Sequence, residues 1–278
     1  MRRFFNWAAR TCLLAYVAMF VAGFFVDALS GWTWIPLCLW LLIGFGVNRR
    51  AAGVREQPVT TGCDTEAVEI AVPVTGRWRA LNSPASKVPS HGTRAYGQTY
   101  AIDIVAEPAE GARPGFGWWP LARRSADFPA FGAELLAVGD ATVVRADDRQ
   151  RDHLSRTSWP AVLYFFVVEG IVRSLGGARR VIGNHVVLDL GDGTYALYAH
   201  LQRGSLAVRP GDRVRTGQLL GRCGNSGNST EPHVHFQLMD SADPDIAHGT
   251  PFTWRGVGVP CNGRTFEAGV TAVAAPAA

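Results

Sequence analysis

The sequence holds almost no lysine. Lys87 is its only one among 27 basic residues, the rest being arginine. This is a matter of genome composition and carries no mechanism. A concentrated basic face is also missing. The first fifty residues set Arg2, Arg3, Arg10, Arg49 and Arg50 against Asp27, which accounts for the whole formal charge of +4. Residues 51–278 are therefore close to neutral, which excludes nucleic acid as a main partner, because phosphate binding needs clustered cations. No C-x-x-C occurs among the five cysteines, so a cysteine-built metal site is excluded. A Cys63–Cys261 bridge and separate buried thiols both remain open, and oligomeric state is not set.

Long clean apolar runs are scarce as well. Residues 12–26 and 32–47 are two apolar stretches separated by a short polar break, each slightly short for a hydrocarbon slab of ~30 Å. Trp7, Trp32 and Trp34 suit interfacial positions, and arginines bracket the unit. The expectation is a retained membrane helical hairpin over residues 1–50, its rival being a cleaved signal peptide. Arginines at both ends would keep both ends, and the body, in the cytoplasm. A polar linker is expected over 51–68, a β domain over 69–265 and a flexible tail over 266–278.

What the body does have is short Val-rich runs punctuated by Gly, Asp and Asn, such as "AVGDATVVRA" and "GNHVVLDLGDGTYALYAHL". These predict a mainly β fold of antiparallel strands, with an Asp-Gly hairpin in "LGDGTY". One stretch breaks the pattern. "SWPAVLYFFVVEGIVRSLGG", residues 158–177, is apolar but interrupted by Glu169 and Arg173. It predicts a helical insertion near 146–180, either packed on the body or resting on a membrane surface.

The chemistry-bearing groups are His91, Asp103, His185, His200, His233 and His235. His233 and His235 are separated by Val234 in a strand-like run, so both imidazoles share one face while Val234 and Phe236 face the core. Asp103 lies between Ile102 and Ile104 and points away from the apolar side. His200 ends an alternating strand. His185 is expected to face solvent or a groove, and His153 and His248 sit in polar loops and receive no role. Catalytic zinc takes three protein ligands and keeps one position open, where bound water becomes acidic enough to ionise near neutral pH. A His–x–His strand serves that design, one ring on the metal and one beside the water.

The segments "YAIDIV", "FGAELLAVGDATVV", "GNHVVLDLGDGTYALYAHL" and "VRPGDRVRTGQLLGRCGNSGNSTEPHVHFQL" together resemble the lysostaphin/LytM-type zinc metallopeptidases, which cut the peptide cross-links of bacterial peptidoglycan. They cover most of residues 96–239, in family order. The resemblance implies an antiparallel β-sheet groove with Zn2+ on its floor. His235 and Asp103 would be metal ligands, and His200 and His233 the catalytic pair. The family writes its first ligand pair as H-x-x-x-D, whereas this chain has Thr99 four residues before Asp103. His91, from the longer loop, is the candidate for the missing ligand. If it cannot reach, the expectation changes to a catalytically inactive domain that binds cell wall or regulates a partner hydrolase. The substrate so implied, a peptidoglycan peptide, places the body outside the membrane, against the arginine bias.

Overall fold

The computed structural model describes residues 2–23, 34–53 and 67–269. The chain divides into two compact units, Met1–Asp64 and Thr65–Ala278.

The first unit contains helices α1 (Arg2–Gly23) and α2 (Trp34–Gly53). Among the described residues no helix is long and apolar enough to cross a membrane. The expected membrane-spanning hairpin over residues 1–50 is therefore unsupported, and length and charge give the reason. After Arg10, α1 continues for only roughly 20 Å at 1.5 Å per residue, and α2 is apolar for about 21 Å before Asn48, Arg49 and Arg50. Both fall short of the ~30 Å hydrocarbon layer. Residues 54–66 of the expected linker, residues 270–278 of the expected tail, and Cys63 lie outside the described residues.

The second unit is built on a nine-stranded sheet. Its strands include β2 (Gly76–Ala80), β3 (Ile102–Ala106), β5 (Ala141–Asp147), β6 (His185–Gly191), β7 (Thr194–Ala199), β8 (Arg213–Val214), β10 (Val234–Met239) and β13 (Thr265–Ala268). Their spatial order is β13-β2-β3-β10-β7-β6-β5-β8, every pairing antiparallel, with β11 (Gly249–Thr250) on the end of β10. Two small sheets flank it. β1 (Val68–Ile70) runs parallel to β12 (Phe252–Trp254), and β4 (Glu134–Leu136) pairs with β9 (Leu219–Arg222). The mainly antiparallel β expectation holds. The Asp-Gly hairpin is present between β6 and β7, with Asp192 at φ 50° and Gly193 at φ 74°, the left-handed pair that a type I′ turn requires.

Side-chain alternation divides the sheet. Val234, Phe236 and Leu238 of β10 face one side with Ile102 and Ile104 of β3, Tyr198 of β7, and Val186 and Leu188 of β6, all fully buried. The Phe236 ring stands edge-on to Tyr198 and Phe252, with centroids 5.2 Å away in each case. Burying each such side chain contributes roughly 1.5–3 kcal/mol. Register then decides the other face. His235 pairs with Asp103 across β10–β3 and with Ala199 across β10–β7, so an acid and an imidazole emerge side by side opposite the core.

The insertion is helical. Ser158 caps α3 (Trp159–Tyr164), which continues through a π-helical turn (Phe165–Glu169) into α4 (Gly170–Leu175), followed by α5 (Ala178–Ile182). Glu169 bridges Arg156 at 2.7 Å and Arg173 at 3.1 Å, tying this stretch to the preceding loop. Ala178 and Ile182 of α5 cover part of the polar face of the sheet beside Leu197 and Ala199.

Candidate metal centre

Asp103 occupies the middle of β3 and is the hub of the site. His235 Nδ1 lies 2.8 Å from its Oδ1, His91 Nε2 lies 2.9 Å from its Oδ2, and His233 Nε2 lies 3.5 Å from Oδ1. Asn82 Nδ2 donates to Oδ2 at 2.8 Å. His200 follows β7 directly, with its ring centroid 4.8 Å from that of His233 and 5.7 Å from that of His235. All five candidates read from the sequence thus meet on one groove, which encloses about 570 Å³. Phe165 and Phe166 of the insertion stand on its wall, with Tyr96 and Lys87 also lining it. His91 reaches Asp103 from the loop between β2 and β3, so Thr99 does not leave the carboxylate without an imidazole.

Each ring is held from behind by a partner that fixes which nitrogen faces inward. His200 Nδ1 donates to the Ser226 carbonyl at 2.8 Å, and His233 Nδ1 donates to the Glu231 carbonyl at 2.8 Å. A carbonyl only accepts, so both rings carry hydrogen on Nδ1 and turn Nε2 into the groove. For His235 the arrangement is reversed. Its Nε2 is 2.9 Å from Gln237 Oε1, while Gln237 Nε2 donates to the Tyr96 carbonyl at 2.8 Å. The amide is thereby oriented, His235 carries hydrogen on Nε2, and its Nδ1 faces Asp103, with room between the two for a proton or a metal ion. Ser90 Oγ sits 2.9 Å from His91 Nδ1 and leaves Nε2 on the Asp103 side.

Local backbone supports these placements. His200 has φ 62°, unusual for a residue with a Cβ, and is held by its N–H to the Ile182 carbonyl (3.1 Å) and its carbonyl to the Gly224 N–H (3.0 Å). The carbonyl of Ser226 is brought to His200 by a backbone-on-backbone contact. A Cβ at Gly227 would fall 2.5 Å from the Gly183 nitrogen, which explains the glycine in "GNSGNS". Arg113 grips Glu231 through both Nε and an NH2 group, bracing the turn before His233.

Burial works against ionisation of Asp103, yet the charges of His91 and His233 and the hydrogen bonds of His233 and His235 outweigh it and hold the carboxyl well below the usual range. Burial, followed by the charges of His233 and His235, pushes His200 well down and keeps it neutral. Burial pulls His233 down too, but the adjacent Asp103 prevails and raises it.

A buried carboxylate facing inward imidazole nitrogens is a donor set that takes either protons or a metal ion. Two overlapping groups have ligand atoms within 4.8 Å of one another, His91/Asp103/His235 and His200/His233/His235. The N/N/O chemistry of the first suits zinc. His185 is not part of this centre. It is largely buried, with Nδ1 2.9 Å from the Gly183 carbonyl, and lines a separate hollow with Asp147 and Arg179, so it faces a groove as expected, though not the one holding Asp103. Gln237, Ser226, Glu231 and Asn82 were not singled out from the sequence. Of these, Gln237 had a usable signal, since it is two residues beyond His235 and must share its face.

The fold and the centre together define a β-sheet groove equipped for metal-assisted chemistry. Residues 167–246 match the sequence model of Peptidase family M23. Among known relatives, the glycyl-glycine endopeptidase ALE-1 of Staphylococcus capitis is 43% identical over 77 residues, 27% of this chain and 21% of that protein. Lysostaphin of Staphylococcus simulans is 43% identical over 74 residues, 26% and 15% of the two chains. The peptidoglycan DD-endopeptidase ShyA of Vibrio cholerae serotype O1 is 37% identical over 62 residues, 22% and 14%. The chain thus spans about a fifth or less of the length of these relatives. The crystallised catalytic domain of Staphylococcus simulans lysostaphin superimposes at a TM-score of 0.29 with 23% identity, over 49% of this chain and 85% of that one. The family match includes His200, His233 and His235 but begins after His91 and Asp103.

Proposed function

We propose that this protein is a zinc-dependent endopeptidase that hydrolyses peptide bonds of bacterial peptidoglycan, working on the outer side of the cytoplasmic membrane where that substrate lies. His91 Nε2, Asp103 and His235 Nδ1 hold the ion, and His200 and His233 act beside it. The observation that carries this reading is the convergence of inward-facing imidazole nitrogens on the buried Asp103 carboxylate. The M23 match and relatives named as peptidoglycan endopeptidases support the substrate class.

Bound zinc supplies Lewis acidity, polarising a carbonyl and bringing the pKa of water toward neutrality. The remaining steps fall to side chains. Gln237 keeps His235 in the tautomer that presents Nδ1. His200 Nε2 and His233 Nε2 face the groove, where the unprotonated Nε2 of His200 accepts a hydrogen bond from the attacking water and orients it, and Nε2 of His233, once that ring carries a second proton, donates a hydrogen bond to the amide oxygen as it gains charge. The groove admits an extended peptide between the Phe165/Phe166 wall and the loop carrying Tyr96.

Purified peptidoglycan incubated with the full chain tests the proposal. Release of new amino termini that stops with a zinc chelator and returns with added zinc is the expected result. Zinc binding without any cleavage would assign the chain to the inactive, wall-binding alternative.

A further inference from the structure

The insertion exposes more apolar surface than a solvated helix should. Trp159, Leu163, Tyr164, Phe166, Val167 and Val172 are each between 51% and 65% exposed. A second segment adds to it, with Phe116 52%, Trp118 72%, Trp119 77% and Leu121 48% exposed. The two are built as one surface. Gly117 N–H donates to the Thr157 carbonyl at 3.2 Å, and Trp159 N–H donates to the Gly117 carbonyl at 3.0 Å. Ser158 Oγ donates to the Leu121 carbonyl at 3.0 Å, and the Phe116 and Trp159 rings meet edge to face at 4.8 Å. Contiguous exposed apolar patches of this kind mark interaction surfaces.

Charge indicates the occupant. Segments 111–124 and 154–182, which carry the patch, contain seven arginines and a single acid, Glu169, while the body as a whole is neutral. Arg113 is matched by Glu231, Arg179 by Asp147, and Arg156 and Arg173 share Glu169. The balance remains positive with Arg123, Arg124 and Arg180. Tryptophan and other aromatic side chains ringed by arginine suit the headgroup boundary of an anionic bilayer, where the rings sit half-immersed and the cations meet phosphate.

From this geometry we infer that the surface formed by residues 116–124 and 159–175 is a monotopic docking face for an anionic lipid bilayer, seated beside the groove that Phe165 and Phe166 wall. It needs no membrane-spanning helix, and it stands or falls independently of the zinc chemistry. If the chain is the wall endopeptidase proposed above, docking this way would hold its groove beside the lipid surface and direct cleavage to the membrane-proximal wall.

Hydrogen–deuterium exchange of the full chain tests this segment by segment, so any lipid contact of residues 1–53 is read separately. Vesicles containing phosphatidylglycerol should slow exchange in 116–124 and 159–175 several-fold. Phosphatidylcholine vesicles should slow it less, and high salt should reverse most of the effect. The triple variant Trp118→Ser, Trp119→Ser, Val167→Ser should lose the slowing in these segments while β10 keeps its wild-type exchange. Unchanged exchange in both segments with every vesicle would overturn the inference. So would slowing that occurs without lipid and grows with protein concentration, since a second copy would then be the occupant.

Discussion

His235 stands directly across from Asp103 in the β10–β3 ladder, its Nδ1 2.8 Å from the carboxylate, with Gln237 holding the opposite ring nitrogen. Register alone creates this pair. A slip of one residue in either strand would send that strand's group to the other side of the sheet, into the space of Ile104 or Phe236.

Replacing His91 by Ala removes one of three proposed ligands without disturbing the sheet. Zinc affinity, measured by competition with a chromophoric chelator, should fall by more than the roughly 10–100-fold that losing a hydrogen-bond partner behind a ligand costs. Full retention of affinity would show that the ion sits elsewhere.

Gln237→Leu should leave His235 without an acceptor for Nε2–H and so release its tautomer. A loss of roughly 10–100-fold in zinc affinity is expected, with Gln237→Glu restoring most of it. In the metal-free protein, nitrogen chemical shifts of His235 should report hydrogen on Nε2 in the wild type and a mixture in the leucine variant. An unmixed spectrum in both would remove Gln237 from the positioning role.

Tyr198→Phe tests the core on the opposite face. The Tyr198 hydroxyl donates to the Leu136 carbonyl at 3.0 Å and accepts from the Val138 N–H at 2.9 Å, so its removal strands two buried backbone groups. Chemical denaturation should show a loss of about 1–3 kcal/mol with unchanged zinc stoichiometry.

Glu169 offers a pH dependence outside the metal centre. Burial favours its neutral form, but the hydrogen bond from Arg156 and the charges of Arg173 and Arg156 prevail and place its pKa below the ordinary 4.5. A depressed carboxyl pKa contributes stability above 4.5 that disappears as pH falls through the lower, folded-state value. The stability gap between wild type and Glu169→Gln should therefore be full at neutral pH and close below 4.5. A gap that persists in strong acid would mean that shape, not charge, makes the clip.

The strand pattern and the site were legible in the sequence to the extent that they depend on alternation. Val234 and Phe236 against His233 and His235, and Ile102 and Ile104 against Asp103, announce which groups share a face. Asp192-Gly193 announces its hairpin through the φ values it permits. His91 was harder to place, because nothing local in "HGTRAYGQT" says that the loop turns back on β3. The contacts that do so, His91 to Asp103 and the Tyr96 carbonyl to Gln237, are made across the fold. His185 lies on the face that alternation gives it but over a different hollow, because alternation gives a face and not a neighbour, and Ile182 and Arg179 line that part of the sheet with it. The N-terminal helices overlap the two apolar runs, each already slightly short of a bilayer, and no described helix is apolar enough to span one. Each helix by itself is too short in its apolar part.

Anomalous scattering at the zinc edge, from crystals of the full chain grown with zinc, tests the central claim most directly, since two overlapping triads compete for the ion. A single peak at bonding distance from His91 Nε2, an Asp103 oxygen and His235 Nδ1, with His200 and His233 near but unbound, is the predicted result. A peak ligated by His200, His233 and His235 with Asp103 unattached, or no peak in the groove, would contradict it.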